Sequence, residues 1–462
     1  MRDPRIGVFV CECGGNISDV VDVKRAVGEA RTWKDVVMAR DRTYLCSKPS
    51  IEQVKEWIKK VKLDRVLLAC CTPKMHRKKF ERSFKEAGLN PALLEIVNAR
   101  EQCSWVHSDD PEGATVKTID LIRGGVERAK ESTPLESMEV EVERSVMVVG
   151  GGIAGITAAL RLAENARKVY LVESKSSIGG HMIQYPKVFP TLDCSQCILT
   201  PKMGDVADSP NIELLTLAEV SSVSGVPGNF KVTVSLRPRG VDAEKCTSCG
   251  ACSRDCPVSV PNEFNEYLDE RKAVYIPFPQ AVPSAYAIDF ENCTKCGNCV
   301  EACARKAIDL DEKQKERELK VGAIILATGF ELYDISQLGE YRYGKHPNII
   351  TSMQMERLLD ITGPTKSSVV RLSDRKEAKK VCYVLCAGSR DMSKGFPYCS
   401  RVCCLYAIKQ ATLLHKAGID VWIHYIDIRT PGRRYEEFYK MARDEGINFV
   451  KGKIAEVIPA SD

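Results

Sequence analysis

A run of four closely spaced cysteines occurs twice in this chain of 462 residues. The first copy, CTSCGACSRDCP, begins at Cys246, and the second, CTKCGNCVEACA, begins at Cys293. Both have the spacing C-x2-C-x2-C-x3-C, in which three thiolates on a tight loop bind one 4Fe–4S cluster and the fourth binds a neighbouring cluster. The repeat therefore predicts an inserted domain of the two-cluster ferredoxin type.

The eight cysteines of the repeat divide into two ligand sets if each fourth cysteine crosses to the other cluster. The predicted sets are Cys246, Cys249, Cys252 and Cys303 for one cluster, and Cys293, Cys296, Cys299 and Cys256 for the other. Gly250 and Gly297 allow the loops to wrap closely. A pair of zinc ribbons is the alternative, but a three-cysteine loop with a distant fourth ligand is not ribbon spacing.

The composition narrows the class of protein. The 21 cysteines lie in tight runs within a long chain, which favours metal or redox ligation over the disulfide framework of a small secreted protein. A net charge of +5 is too small to indicate a nucleic-acid partner or a membrane surface. No apolar run reaches the ~18–20 residues of a membrane span, and MRDPRIGVFV lacks a signal-peptide core. We therefore expect a cytoplasmic protein of more than one domain.

A glycine-rich motif, GGGIAG, follows the apolar segment VMVV and precedes a helical segment. Gly150, Gly152 and Gly155 form the pattern G-x-G-x-x-G, in which bare backbone approaches a pyrophosphate at a helix N-terminus. After the next strand, the carboxylate of Glu173 is suited to accept hydrogen bonds from ribose hydroxyls. These features suit NAD or FAD. The later ATG segment and the position of this first βαβ unit favour FAD.

Further residues are expected to contact FAD around this fingerprint. Gly179 and Gly180 are interpreted as a loop that crosses the cofactor, and His181 is the histidine expected near the flavin. The full predicted set is Gly150, Gly152, Ile153, Ala154, Gly155, Glu173, Ser174, Gly179, Gly180, His181, Ala327, Thr328 and Gly329. No acid–base dyad or Ser/His/Asp constellation is visible, so no catalytic residue is predicted.

A second βαβ pattern near the end of the chain has no glycine fingerprint. Cys386 ends its first strand, and Cys399, Cys403 and Cys404 gather around the start of the following helix, where a pyrophosphate would otherwise bind. A helix N-terminus also favours thiolates by lowering their pKa. We therefore expect these four cysteines to hold a further cluster, with a set of small buried cysteines as the alternative. Cys382, within the strand, is expected in the core.

Other cysteines follow predicted strands of the N-terminal region, where the carboxyl ends of parallel strands share one edge. These are Cys11, Cys13, Cys46, Cys70, Cys71 and Cys103. They predict another iron–sulfur site without showing which four would ligate, and buried thiols or a redox dithiol are the alternatives. Cys194 and Cys197, in DCSQC, are open to three interpretations: ligands of a cluster near FAD, a redox pair, or part of a structural loop.

Hydrophobic periodicity and these motifs predict an α/β chain with four segments. Strand-like and helix-like segments alternate in the first part, where IGVFV, RVLLAC and LLEIV are predicted strands. The predicted segments are 1–135, a small parallel α/β domain rich in cysteine; 143–240, the first part of the FAD domain; 241–312, the ferredoxin insert; and 313–462, the rest of the FAD domain with its cluster-bearing second Rossmann-like unit.

In combination these motifs resemble the A subunit of heterodisulfide reductase, an iron–sulfur flavoprotein. The resemblance covers essentially the whole chain and rests on CECGGNISD, GGGIAG, DCSQCILTPKM, the double ferredoxin run and YCSRVCCLYAIKQA. It implies a thioredoxin-reductase-like FAD domain with an inserted ferredoxin. It also implies assembly with other reductase subunits, input from a hydrogenase or formate dehydrogenase module, ferredoxin as a partner, and flavin-based electron bifurcation in methanogenesis.

The resemblance also leads us to expect family elements that would follow IAEVIPASD: a returning strand that closes the FAD site and a terminal ferredoxin domain. A partner chain could supply them if the gene is split, or the chain could be truncated. The favoured function is an electron conduit built on FAD. The alternatives are a non-bifurcating FAD/Fe–S relay of a sulfur- or quinone-linked complex, a non-catalytic scaffold, and an NAD(P)H-dependent disulfide reductase. The missing second glycine fingerprint argues against the last of these.

Overall fold

Two compact units make up the computed structural model, which describes residues 4–136, 139, 141–165 and 167–460. The N-terminal unit is Met1–Glu139 and the C-terminal unit is Val140–Asp462. Within the described ranges, no helix is both long enough and apolar enough to span a membrane.

The N-terminal unit is a four-stranded parallel sheet with helices between its strands. The strand order is β2-β1-β3-β4. Its elements are β1 Ile6–Cys11, α1 Val23–Ala30, β2 Val36–Arg42, α2 Lys48–Val61, β3 Arg65–Cys70, α3 Pro73–Lys85, β4 Leu94–Asn98 and α4 Pro111–Glu131. The central strands β1 and β3 are almost wholly buried, as apolar strands covered on both faces must be. The three predicted strands are present; β2 is additional, and its polar residues suit the sheet edge.

Each helix of this unit begins at a side chain that caps its first turn. The caps are Asp22, Ser47, Thr72 and Asp110, and each accepts a backbone N–H two or three residues ahead. Such caps satisfy N–H groups that have no partner inside the helix. Proline in the first turn of α2, α3 and α4 reinforces these starting points. The loops after β2 and β3 are short, and they hold Cys46 and Cys71 near the edge of the sheet.

The described part of the C-terminal unit contains three sheets of three or four strands, and a cysteine-rich segment with two sheets of two strands each. Its elements are β5 Val146–Val149, α5 Ile153–Ala163, β6 Val169–Val172, α6 Ser195–Asp208, β7 Ile212–Leu215, β8 Ala218–Val226, β9 Asn229–Leu236, α7 Ala251–Arg254, β10 Ser259–Pro261, β11 Glu270–Lys272, β12 Val274–Tyr275, β13 Ala287–Ile288, α8 Asn298–Ala302, β14 Lys315–Val321, β15 Ala323–Leu326, α9 Ser352–Leu359, β16 Lys380–Val384, α10 Cys403–Lys416, β17 Asp420–Tyr425, α11 Tyr435–Asp444 and β18 Asn448–Lys451.

A parallel sheet and an antiparallel sheet form the first part of this unit. The parallel sheet has the order β15-β5-β6-β7, and the antiparallel sheet has the order β14-β9-β8. Because β9 pairs with β14 and Leu236 lies opposite Lys315, the chain leaves the sheet after β9 and returns beside the same point. The intervening residues 241–312, which we call the insert, are therefore anchored to this sheet at both ends.

The last part of the unit is the parallel sheet β16-β17-β18. One face of it packs on α10, whose residues Ala407, Ile408, Ala411 and Leu414 are fully buried. Val381 and Tyr383 pack against the same core. Since side chains alternate along a strand, Cys382 points to the opposite face and is exposed. The expectation that Cys382 lies in the core was wrong.

Close packing of α5 on β5 depends on the absence of a side chain at Gly155. A Cβ added there would lie 1.8 Å from the carbonyl oxygen of Gly150. We expect Gly155→Ala to lower the melting temperature, because overpacking typically costs ~1–3 kcal/mol. The matched control is Gly204→Ala in α6, where an added Cβ meets nothing within 4 Å and where alanine should stabilise the helix by ~0.5–1 kcal/mol. Calorimetry of both variants tests this, and equal melting temperatures would contradict it.

Candidate functional site: a glycine cradle and clustered cysteines

Bare glycine backbone joins β5 to α5. Gly150 has φ +106°, and a Cβ added there would lie 2.3 Å from the carbonyl oxygen of Ala327. Gly152 is the N-cap of the 11-residue helix α5 and provides no side-chain hydrogen bond. The first N–H groups of α5, at Ile153 and Ala154, therefore have no side-chain cap, and such a helix start attracts phosphate.

A second glycine segment faces the first. Gly179 and Gly180 have φ +129° and +55°, and a Cβ added to Gly180 would lie 2.8 Å from the Cα atom of Gly152. Only glycine combines these backbone angles with so close an approach. The structure thus brings the two predicted glycine segments together as a strip of backbone without side chains at a helix N-terminus. This strip fits the pyrophosphate of a dinucleotide such as FAD.

Glu173, which was predicted to bind ribose, ties the end of β6 to this strip. Its Oε2 accepts the Gly151 N–H at 2.7 Å, and its Oε1 accepts the Lys175 N–H at 2.8 Å and the Ser174 hydroxyl at 3.3 Å. The carboxylate is buried. A carboxylate oxygen has two lone pairs, so Oε2 keeps one that a ribose hydroxyl can use.

His181 connects the second glycine segment to the segment that follows β15. Its Nδ1 is 2.9 Å from Gln184 Oε1, and its Nε2 is 3.1 Å from the carbonyl oxygen of Phe330. The rings of His181 and Phe330 also pack with their centroids 4.7 Å apart. The predicted segment Ala327-Thr328-Gly329 is therefore held beside Gly180 through this histidine.

Arg357, which no motif indicated, is a fully buried cation in α9 that joins three segments of the C-terminal unit. Its Nη1 donates to the carbonyl oxygen of Gln184 at 2.8 Å, next to the glycine strip. Its Nε donates to Asn265 Oδ1 in the insert at 2.9 Å, and its guanidinium lies 4.7 Å from the ring centroid of Phe264. Asp360, 3.4 Å away, supplies the opposite charge. These contacts fix the insert relative to the glycine strip.

A second buried ion pair attaches α9 to α10. Lys409 and Glu356 are each 2 % exposed, and Lys409 Nζ lies 2.7 Å from the Glu356 carboxylate. Burial raises the pKa of Glu356 and lowers that of Lys409. Gln410 donates to the same carboxylate. Breaking a buried pair of this kind typically costs ~3–5 kcal/mol, so α10 is held firmly to the helix that carries Arg357.

The insert brings together the thiols of the first predicted ligand set. The pKa of Cys252 is raised to about 11, mainly by burial and in part by repulsion from the neighbouring thiols of Cys246, Cys303 and Cys249. Cys303 comes from the second run, whereas the other three belong to the first. Thiolates gathered in this way repel one another, and the iron atoms of a cluster would compensate their charge.

The second predicted set shows the complementary grouping. Burial raises the pKa of Cys299, and Cys293, Cys256 and Cys296 contribute to the rise. Here Cys256 is the residue that crosses from the first run. The described residues contain no group of three or more His, Cys, Asp or Glu side chains with the geometry of a single-ion site. A 4Fe–4S cluster instead binds each thiolate to a separate iron atom, which suits two crossed sets of cysteines.

Three of the four cysteines predicted in the second Rossmann-like unit lie in contact. Cys403 is the first residue of α10, and the thiols of Cys386 and Cys404 donate hydrogen bonds that lower its pKa. Cys386 and Cys404 are buried. The thiol of Cys399 accepts the Arg401 N–H at 3.3 Å, and among the described residues it forms no hydrogen bond with the other three cysteines.

Five of the six N-terminal cysteines gather at the carboxyl edge of the sheet of the N-terminal unit. Burial raises the pKa of Cys11 to about 11, with smaller contributions from Cys13 and Cys46. Cys70 ends β3, forms a hydrogen bond with Cys71, and is also close to Cys11 and Cys13. The edge predicted from strand ends is therefore lined with thiols.

The sixth cysteine, Cys103, is turned toward α4. Its thiol donates to the carbonyl oxygen of Ala114 at 3.1 Å and accepts the Thr118 hydroxyl at 3.2 Å. Arg100, another residue without a sequence signal, occupies the thiol-lined edge and donates from Nη1 to the Cys13 Sγ at 3.3 Å. A guanidinium at that distance stabilises negative sulfur.

Comparison with known proteins places the chain. Residues 144–370 match the family model described as pyridine nucleotide-disulphide oxidoreductase. The chain is 47% identical to the A subunit of the H(2):CoB-CoM heterodisulfide,ferredoxin reductase of Methanothermobacter thermautotrophicus, over 100% of this chain and 71% of that protein. The chain belongs to the family of heterodisulfide reductase A subunits. The family resemblance and the α/β fold class with an FAD domain of this type are confirmed, and the chain is part of an oxidoreductase.

Two further relatives of this family have informative names. One of the iron-sulfur A subunits of the CoB--CoM heterodisulfide reductase of Methanopyrus kandleri is 49% identical over 99% of this chain and 69% of that protein. The A subunit of the Ferredoxin/F(420)H(2)-dependent CoB-CoM heterodisulfide reductase of Methanosarcina acetivorans is 46% identical over 99% of this chain and 58% of that protein. The iron–sulfur name agrees with the density of cysteines in this chain.

Crossed ligation in the insert makes a prediction for iron content. Cys303→Ser and Cys249→Ser should each remove one cluster, or about four iron atoms per chain. The double variant should lose no more than either single variant, because both cysteines would serve the same cluster. If each run instead held its own cluster, the double variant would lose twice as much. Iron and sulfide analysis of anaerobically prepared protein decides between these outcomes, with the exposed Cys382→Ser as the control.

The thiol-lined edge of the N-terminal unit makes a prediction for reactivity. The hydrogen bond from Cys70, followed by the charge of Arg100, lowers the pKa of Cys71 to about 6. In iron-free protein, alkylation of Cys71 by iodoacetamide should therefore lose rate only below about pH 6. Cys70→Ala should move the midpoint furthest toward the ordinary value of about 8.5, and Arg100→Gln should move it less. Arg77→Gln, on α3, is the control, and a wild-type midpoint near 8.5 would contradict the assignment.

Proposed function

We propose that this chain is the FAD and iron–sulfur electron-transfer component of a heterodisulfide reductase-type complex, and that the complex performs flavin-based electron bifurcation. Electrons would enter from a hydrogenase or formate dehydrogenase module. They would leave by two routes, one to ferredoxin and one to a separate polypeptide that reduces the heterodisulfide. Other reductase subunits are therefore the expected partners.

The observation that carries this proposal is the attachment of clustered cysteines to the glycine strip. The insert is anchored at both ends to the β9–β14 pair, and Arg357 donates to both the insert and Gln184. The ion pair of Lys409 and Glu356 holds α10, which carries Cys403 and Cys404, to α9, which carries Arg357. Two groups of cysteines are thus attached to the elements that carry the proposed dinucleotide site, which supports electron transfer along two branches.

The residues proposed to hold FAD are those of the predicted set. Gly150, Gly152, Gly155 and Gly180 leave the backbone bare for the pyrophosphate, and the start of α5 supplies N–H groups to it. Glu173 has a lone pair left for a ribose hydroxyl. FAD bound here would accept electrons in pairs and pass them on singly.

The residues proposed to hold iron are the clustered cysteines. The two crossed sets in the insert would hold one 4Fe–4S cluster each. Cys386, Cys399, Cys403 and Cys404 would hold another if the loop carrying Cys399 closes on the other three. In the N-terminal unit a further cluster would take its ligands from Cys11, Cys13, Cys46, Cys70 and Cys71, with Arg100 offsetting the charge. We leave Cys103 out of the proposed set because its thiol is hydrogen-bonded to α4.

A second candidate function is a relay that carries electrons without bifurcation. The name of the Methanosarcina acetivorans relative describes its heterodisulfide reductase as ferredoxin/F(420)H(2)-dependent, whereas the Methanothermobacter name gives the heterodisulfide and ferredoxin together. In a relay, ferredoxin would act as the donor, and its oxidation would not depend on a second acceptor.

The test measures coupling in the anaerobically purified native complex. With hydrogen or formate as donor, bifurcation predicts that ferredoxin is reduced only when the heterodisulfide is present, and in fixed proportion to it. Ferredoxin reduction at the same rate without heterodisulfide would reject bifurcation. Heterodisulfide reduction by reduced ferredoxin, with no reduction of ferredoxin by hydrogen or formate under any condition, would favour the relay.

A flavin-site variant ties this activity to the chain. We expect Gly180→Ala to lose FAD together with both reductions, because the new methyl group would lie 2.8 Å from the Cα atom of Gly152. Gly204→Ala, on the open side of α6, should keep both. Retention of coupled activity by flavin-free Gly180→Ala would reject the proposal.

A further inference from the structure

One cysteine pair is used by none of the proposed electron-transfer sites. Cys194 and Cys197 are joined by a disulfide, and their Cα atoms are 5.3 Å apart. The bond spans the first turn of α6. Cys197 is exposed to solvent, whereas Cys194 is half-buried. An external reagent can therefore reach one sulfur of the bond more easily than the other.

The less accessible sulfur is the better leaving group. Cys194 is the N-cap of the 14-residue helix α6, and its Sγ accepts the Cys197 N–H at 3.2 Å. A helix N-terminus and a hydrogen bond to sulfur both stabilise a thiolate. In thiol–disulfide exchange the more stable thiolate leaves faster. Attack on Cys197 with departure of Cys194 is therefore the favoured direction.

The residues around the pair hold it in place whether the disulfide is closed or open. Ser195 is fully buried and donates its hydroxyl to the carbonyl oxygen of Tyr185. Gln196 donates to Asp360 Oδ2 at 3.2 Å, and the backbone of Cys194 forms an isolated antiparallel β-bridge with that of Lys187. Opening the disulfide would leave these contacts intact, so the pair can cycle without unfolding the start of α6.

We propose that Cys194 and Cys197 form a thiol–disulfide exchange site that acts on small thiols or protein thiols as a two-electron couple. A thiolate attacks the Cys197 Sγ, the S–S bond breaks, and its electron pair leaves on the Cys194 Sγ. This step leaves a mixed disulfide between Cys197 and the first external thiol. A second external thiolate attacks the sulfur of that first thiol and releases Cys197 as a thiolate. Two external thiols are oxidised to a disulfide, the pair is reduced by two electrons, and the protons of the thiols end on the cysteines or in solvent.

The site is independent of the proposed electron conduit. The exchange uses no atom of the glycine strip and no proposed iron ligand. Through this exchange, the redox state of the Cys194–Cys197 pair would follow the ratio of thiol to disulfide in the surrounding solution. Asp360 connects the pair to the glycine strip by a chain of contacts: it accepts from Gln196 and pairs with Arg357, which donates to Gln184.

The experiment reads the pair directly in the native complex. Cleavage after Lys187 and Lys202 gives the peptide VFPTLDCSQCILTPK, which contains these two cysteines and no others. The complex is equilibrated without oxygen in buffers of different glutathione to glutathione disulfide ratio, quenched with acid, alkylated and analysed by mass spectrometry. We expect the peptide to convert reversibly from disulfide to dithiol as the ratio rises. Reduced thioredoxin in a parallel series distinguishes a protein thiol from a small thiol by which one reduces the pair faster.

Single variants test the roles of the two sulfurs. At pH 7, Cys194 in Cys197→Ser should be alkylated at least tenfold faster than Cys197 in Cys194→Ser, because the helix terminus favours its thiolate. Burial alone predicts the reverse order, since Cys197 is the more exposed residue. The reverse order would therefore overturn the assignment of Cys194 as the leaving group.

Three results would overturn the proposal as a whole. The wild-type peptide could stay a disulfide at every ratio until the protein is denatured, which would make the bond structural. It could stay a dithiol at every ratio. Either serine variant could lose about four iron atoms per chain, which would make the pair a cluster ligand. Flavin content and coupled ferredoxin reduction, measured on the same preparation, show separately whether the proposed electron-transfer function holds.

Discussion

The buried guanidinium of Arg357 is the interaction on which the arrangement of the C-terminal unit depends. An unpaired charge in such a place would be strongly destabilising. Arg357 is instead satisfied by Gln184, Asn265 and Asp360, which lie in the glycine segment, the insert and the end of α9. The contacts that remove the cost of burial are also the contacts that orient the insert, so stability and the placement of the insert have the same origin.

Gathered thiols are the second constraint. Cys11 and Cys70 end strands of the N-terminal sheet, and Cys403 begins α10. Burial, followed by repulsion from neighbouring thiols, raises the pKa of Cys252 and Cys299. Hydrogen bonds from neighbouring thiols instead lower the pKa of Cys403 and Cys71. A metal binds cysteine as the thiolate. These groups, which combine acidic thiols with thiols that hold their protons more tightly, therefore suit a metal that displaces the remaining protons.

Local spacing predicted much of the candidate site. The glycine fingerprint and the two four-cysteine runs are recognised within a few residues, because a tight loop can present ligands to a cluster or a phosphate only at certain intervals. Contacts over long separations could not be predicted in this way. Arg357 meets residues 92 and 173 positions away. Cys103 and Cys382 were judged from their position near strands, but packing against α4 turned one inward, and strand alternation turned the other to solvent.

The sequence by itself determined the family, the α/β class, the dinucleotide motif and the types of residue offered as ligands, because each depends on short-range pattern. Only the tertiary structure decided which cysteines face one another, which one in the N-terminal unit is turned toward α4, and which cation joins the insert to the glycine strip. Those outcomes depend on which side chains, far apart in the sequence, pack together in the interior. That follows from the packing of sheets and helices rather than from any local interval.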